Sequence, residues 1–179
     1  MKSETEDPPP AIPVTTVPLW QRLIIGRNPK RTLVRVAILA VSSFIVFKFV
    51  LLPARICGVS MEPTYRDRSV NFINQLSYRW KKPQRGDVVG VMMAGKHMML
   101  LKRIIALPGE TVAIEQGTVL INGQPLAEPY VKERAPWQLP PRPLGPNEYL
   151  LIGDNRGMPQ ETHDFGVANA NRFVGKVLW

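Results

Sequence analysis

The chain has 179 residues, enough for one globular domain plus an appendage. Its formal charge of +9 calls for an anionic neighbour. The basic residues form no single long run, and neither zinc-finger spacing nor an aromatic RNA-binding signature occurs, so an acidic membrane face is favoured over nucleic acid. Cys57 is the sole cysteine, which excludes an intrachain disulfide and a cysteine-rich metal site and leaves the redox compartment open.

In chain order, Met1 to Pro18 is polar and proline-rich and is expected to be a disordered or extended tail. Arg22, Arg27, Lys30, Arg31 and Arg35 then precede the apolar run V-A-I-L-A-V-S-S-F-I-V-F-K-F-V-L-L, Val36 to Leu52. As a helix this run covers roughly 25 Å, close to the ~30 Å of a bilayer core. Lys48 can snorkel to the interface, and Pro53 is expected to stop the helix. A buried globular helix and a cleaved signal peptide compete with an uncleaved anchor. The long basic region and the bulky A-R-I-C sequence disfavour cleavage. The division adopted is a cytoplasmic tail at 1–32, a transmembrane anchor at 33–53 and an extracytoplasmic domain at 54–179. Basic residues on the N-terminal side set that orientation in the cell membrane.

Beyond Ile56 the alternation is β-like. Strands are predicted at Val70–Ile73, Asp87–Met92, Met98–Ala106, Thr111–Ile114, Thr118–Ile121, Tyr149–Ile152 and Phe173–Leu178. E-Q-G-T and N-G-Q-P mark hairpin turns. The proline-rich stretch Pro136–Pro146 reads as a surface loop. The fold class expected is a mostly β domain, antiparallel and barrel-like or sandwich, behind one N-terminal transmembrane helix. Phe72, Trp80, Met92 and Met93 read either as core or as further membrane contact.

The stretch G-V-S-M-E-P-T-Y places Ser60 just beyond the apolar run. A serine nucleophile needs a base. His97 and His163 are the only histidines, and neither lies in a motif that marks a triad base; His97 reads as a loop residue. A lysine made neutral by burial is the other solution. In M-M-L-L-K-R-I-I-A-L, Lys102 lies within an apolar strand, on the face of Leu100 and Ile104, and Arg103 points the other way. A snorkelling lysine on an edge strand is the alternative. Cys57 reads as a small buried apolar residue, with a thiol nucleophile as its alternative.

S-M-E-P-T, R-G-D-V-V, K-R-I-I-A-L-P-G and G-D-N-R occur in that order, with N-G-Q-P-L-A-E-P-Y between the last two. This succession resembles the type I signal peptidases, the serine–lysine membrane proteases, over Ile56 to Trp179. The resemblance implies Ser60 as nucleophile, Lys102 as general base, the Ser60 backbone N–H in the oxyanion hole and Met61 beside the substrate pocket. It also implies an Asp154–Arg103 pair, with Arg156 holding architecture. No cofactor or metal is implied. The implied partners are the bilayer and preproteins with small residues before the cut. Oligomeric state is open.

Two departures stand out. Many relatives carry a serine two residues before the nucleophile; here that position is Gly58, so a backbone or water donor is expected to replace it, and a plain turn glycine is the alternative. The family pattern G-D-N-R-x-x-S-x-D-S-R-x-x-G reads here G-D-N-R-G-M-P-Q-E-T-H-D-F-G, Gly153 to Gly166. Pro159 replaces the serine that orients the lysine and offers neither a hydroxyl nor an N–H. Thr162 is the expected replacement, with Tyr130, Tyr149 and water as alternatives. His163 is expected to pair with Glu161, or else to orient Lys102, act as the base, or lie exposed. The implied function is removal of signal peptides from exported preproteins. The alternatives are a pilus-processing serine–lysine peptidase, a self-cleaving repressor, which lacks a DNA-binding domain here, and an inactive membrane-anchored relative.

Overall fold

The computed structural model describes residues 28–92 and 99–178. The predicted tail, His97 and Met93 lie outside them. The chain divides into two compact units, one through Ser43 and one from Phe44 onward.

Helix α1, Pro29–Phe49, opens with a proline, whose fixed φ and missing N–H suit the first helical turn. Its 21 residues make about 32 Å, and it is long and apolar enough to cross a membrane. None of its residues is buried by the described part of the chain. The helix ends at Phe49, earlier than the sequence led one to expect. Leu51–Arg55 is instead strand β1, so the apolar run holds two elements. Pro53 sits within β1, at the edge of its sheet, where a missing N–H breaks no ladder on the open side.

The second unit is built from two open antiparallel sheets; no closed barrel forms among the described residues. Strand β2 is Val70–Asn74, β3 Val88–Val91, β4 Leu100–Ala106, β5 Thr111–Glu115, β6 Thr118–Ile121 and β7 Gln124–Pro125. Strand β8 is Leu139–Pro143, β9 Glu148–Ile152, β10 Gly166–Asn169 and β11 Phe173–Val177. The larger sheet has the order β1-β2-β11-β3-β4-β9-β10 and the smaller one β7-β6-β5-β8. The two hairpin signals are realised as left-handed pairs, Gln116 and Gly117 (φ 46 and 78°) and Asn122 and Gly123 (φ 50 and 79°). That geometry matches the twist of the flanking strands.

Strands β1, β7, β8 and β10 are additional to those expected. Leu139–Pro143 is a correction: the proline-rich loop is a strand. It pairs with β5 at the rim of the smaller sheet, the place where proline is tolerated in a ladder.

Strand β4 lies between β3 and β9, with Lys102 opposite Val89 and Arg103 opposite both Val88 and Ile152. Apolar side chains pack on every side of it. Leu101 joins Ile56, Met61, Ile73 and Val88 in one cluster. Ile104 joins Val89, Val91 and Leu151 in a second, and Ile105 joins Val112, Ile114 and Trp137 in a third. Among the predicted contact residues, Trp80, Phe72 and Met92 are exposed.

Ile104 is fully buried in the strand that carries Lys102. Ile104→Ala should lower unfolding stability by about 2–5 kcal/mol, measured by denaturant titration of the detergent-solubilised protein.

Candidate active site

Ser60 is carried by the connection between β1 and β2. Its base is closed by two backbone bonds, Ile56 N–H to Ser69 O and Arg68 N–H to Ile56 O, both 2.9 Å. Within it Tyr65 N–H donates to Met61 O, which turns the chain sharply after the serine. Met61 is buried in the core and also lines a cleft of about 280 Å³. Arg55, Ile56, Cys57, Gly58, Ser60 and the stretch Met99–Leu101 complete its wall. Gly58 has φ of +104°, a conformation that favours glycine, and its N–H donates to Asp67 Oδ1. Cys57 is exposed at the cleft, not the buried apolar residue expected, because the open wall of the cleft leaves it uncovered.

Lys102 comes from an interior strand of the larger sheet, β4. Its side chain is 1% exposed, and Nζ lies 2.9 Å from Ser60 Oγ. A lysine amine in hydrogen-bond contact with a serine hydroxyl, beside an apolar cleft, can take the hydroxyl proton once it is uncharged.

Arg103, the next residue, serves a separate network. Its Nε and Nη2 donate to the two oxygens of Asp154, at 2.8 and 2.5 Å, and Nη1 donates to Gly86 O. The Arg103 guanidinium also lies 4.0 Å from the centroid of the Tyr130 ring, a cation–π contact. Asp154 is buried and accepts a further bond from the Thr64 hydroxyl. The pair is therefore no loose surface contact, and it ties β4 to the turn after Ser60.

The rest of G-D-N-R holds the serine directly. Asn155 donates its backbone N–H to Ser60 O and its side-chain amide to Val59 O, each at 3.0 Å. At Gly153 a Cβ would collide with the Ser60 carbonyl oxygen and crowd the His163 ring, so only glycine permits this approach. Arg156 is 2% exposed; Nε donates to Gly153 O and Nη2 to Glu128 Oε1. Glu128 also accepts from Arg134 and from the Tyr130 hydroxyl. Burial and the Glu128 carboxylate push the Tyr130 phenol pKa up. Removing one partner from such a buried ion pair would leave an unpaired charge, a change that costs about 3–5 kcal/mol.

Sequence reasoning missed Glu128, Asn155 and Trp137. Glu128 and Asn155 lie inside the quoted motifs, where a polar residue in an otherwise apolar or turn context was the available signal. Trp137 lies in the supposed loop.

Thr162 does not orient Lys102. It is exposed, and its hydroxyl donates to Pro159 O within a 3₁₀ turn at Gln160–Thr162. Pro159 and Glu161 are exposed with it. Tyr130 is committed to Glu128, and Tyr149 packs on Phe173. His163, in contrast, turns inward. It is 4% exposed, packs edge-on against Trp137 at 4.8 Å, and shows no pairing with Glu161. Both ring nitrogens are buried without a hydrogen-bond partner among the described residues, although one approaches the Ser60 carbonyl. Burial, and then the cations Lys102 and Arg156, pull its pKa down to about 4, against opposing effects from the Ser60 carbonyl and Asp164. The imidazole is uncharged at neutral pH.

The family model described as signal peptidase, peptidase S26, matches residues 30–179. The chain belongs to this family. A probable signal peptidase I-2 from Synechocystis sp. is 32% identical over 154 residues, 83% of this chain and 69% of the relative. A signal peptidase I from Leptolyngbya laminosa is 29% identical over 191 residues, 99% and 91% of the two chains. Signal peptidase IB from Staphylococcus aureus is 30% identical over 163 residues, 81% and 85%. Membership of the peptidase S26 family makes this chain a serine endopeptidase.

The depressed His163 pKa has a stability consequence. An unfolded imidazole takes a proton near pH 6.5, whereas the folded one resists until about 4. Between these values the unfolded state binds more protons, so stability falls as pH is lowered, by roughly 3 kcal/mol once both states are protonated. Denaturant titrations at pH 7 and pH 4 should show this loss in the wild type and a smaller loss in His163→Phe.

Proposed function

We propose that this chain removes N-terminal signal peptides from exported preproteins, with Ser60 as nucleophile and Lys102 as general base. The observation that carries the reading is the 2.9 Å contact between a buried lysine amine and a serine hydroxyl at the edge of a cleft. Burial deprives an ammonium of hydration and so favours the neutral amine that a base must be. The amine takes the Ser60 proton as Oγ attacks the scissile carbonyl, which gives a tetrahedral oxyanion. The Ser60 backbone N–H is one donor to that oxyanion; a second is needed where Gly58 offers no hydroxyl. Collapse of the intermediate passes the proton from Lys102 to the leaving amine and leaves an acyl-enzyme. Water, deprotonated by Lys102, then releases the new carboxylate and restores Ser60.

The cleft supports the substrate class. Its wall of Ile56, Met61, Met99 and Leu101 suits an extended peptide with small side chains before the cut. Helix α1 spans the bilayer in this reading. The N-terminus is then cytoplasmic and residues 54–179 lie outside, an orientation that Lys30, Arg31 and Arg35 near the helix start support. The short connection from Phe49 to Ser60 keeps the nucleophile near the membrane, where a signal segment ends.

Ser60→Ala and Lys102→Ala should each lower preprotein cleavage in detergent by about 10³-fold or more. Lys102→Arg should fail as well, since a guanidinium stays charged. Unchanged cleavage in all three would identify an inactive relative. The rate should rise with pH as Lys102 loses its proton, with a midpoint below the ordinary lysine value of about 10.4. A midpoint at that ordinary value would remove the role assigned to burial.

A further inference from the structure

The segment that departs most from the family pattern contributes one inward side chain. Pro159, Glu161 and Thr162 face solvent, and Gln160 is tied to Gln138 through two 2.9 Å bonds. The chain then turns His163 into the interior, where Trp137 at 4.8 Å and Phe165 at 6.4 Å hold the ring. The ring also crowds the same point beside Gly153 as the Ser60 carbonyl oxygen does. Buried polar atoms without partners are rare in folded proteins and call for a functional account. Here one ring nitrogen of His163 approaches the Ser60 carbonyl, and neither has a well-formed hydrogen bond among the described residues.

We propose that His163 is the positioning residue of the Ser60–Lys102 pair. The inference rests on the function proposed above. The ring acts in two ways. It packs against the Gly153–Ser60 junction and so fixes the backbone of the nucleophile. Its acceptor nitrogen is available to an N–H of the Lys102 ammonium, which carries three donors after it has taken the Ser60 proton. The charged groups that face the ring are Lys102 from β4, Arg156 from the G-D-N-R loop and Asp164 from its own segment; the cations outweigh the single carboxylate. A neutral ring is therefore compatible with the pair, and a protonated one opposes it.

The test compares His163→Phe, which keeps the ring stack and removes both nitrogens, with His163→Gln, which restores a donor and an acceptor. His163→Phe should retain the thermal midpoint at neutral pH and the wild-type KM. Its kcat should fall on the order of 10–100-fold, as expected when a catalytic group is misplaced, and its pH–rate midpoint should shift. His163→Gln should recover much of kcat. Wild-type kcat and pH profile in His163→Phe would overturn the proposal. Equal losses in both variants with an unmoved pH profile would also overturn it, since they would show a merely structural ring. A second measurement is independent of activity and of the folding of His163→Phe. The His163 ring resonance, assigned by its loss in His163→Gln, is titrated by NMR in the wild type and in Lys102→Met. Its midpoint should rise by at least about half a unit in Lys102→Met, roughly a threefold change in proton affinity. An unmoved midpoint would show that the ring does not sense Lys102 and would sink the proposal. Failure of Ser60→Ala to lose activity would instead remove the assigned nucleophile, and this NMR result would still stand or fall by itself.

Discussion

A lysine amine taken almost completely out of water, in contact with a serine hydroxyl, is the constraint around which this molecule is built. An ammonium in such a place loses several kcal/mol of hydration, so the surroundings must hold the amine in position while favouring its neutral form. A residue in an interior strand of a seven-stranded sheet meets that need. Strand β4 is paired on both sides, which fixes the backbone that carries Lys102 and the face its side chain takes. The serine, by contrast, comes from an irregular connection with no sheet to fix it.

That asymmetry explains the buried charges behind the site. The loop at residues 153–156 grips the serine connection through Asn155, and Arg103 and Thr64 meet at Asp154. Arg156 anchors the same loop to Glu128, which comes from the segment following the smaller sheet's hairpin. Each charge is satisfied by geometry that only one arrangement of the three segments allows. Such a network contributes position more than net stability, because desolvation offsets much of the ionic attraction. Its consequence is that the Ser60–Lys102 pair is held from behind by groups that do not line the cleft. After Met158 the chain makes an outward 3₁₀ turn and then buries the His163 imidazole against Trp137.

Much of this was legible from residue order. The left-handed turns at Gln116–Gly117 and Asn122–Gly123, the strand bearing Lys102, and the candidate pair of Ser60 and Lys102 follow from turn chemistry, period-two alternation and motif succession. Local patterns report these features because they are decided within a few residues. The proline-bearing strands at Leu51–Arg55 and Leu139–Pro143 were not legible. Proline is a poor strand former except at an edge, and which strands are edges is a property of the whole sheet. The helix end at Phe49 was obscured because an apolar side chain suits lipid and a sheet equally well.

By itself the amino-acid sequence determined the kind of chemistry: a hydroxyl, an amine set in an apolar strand, and paired charges at fixed places along the chain. Only the tertiary structure decided which groups stand behind that pair. Thr162 and His163 are neighbours, and the family resemblance, which implies a serine hydroxyl beside the lysine, favoured the hydroxyl. Backbone direction after the Gln160–Thr162 turn sent the hydroxyl to solvent and the imidazole inward. Contacts between residues far apart in sequence depend on how strands stack and where turns point, and no local pattern encodes that.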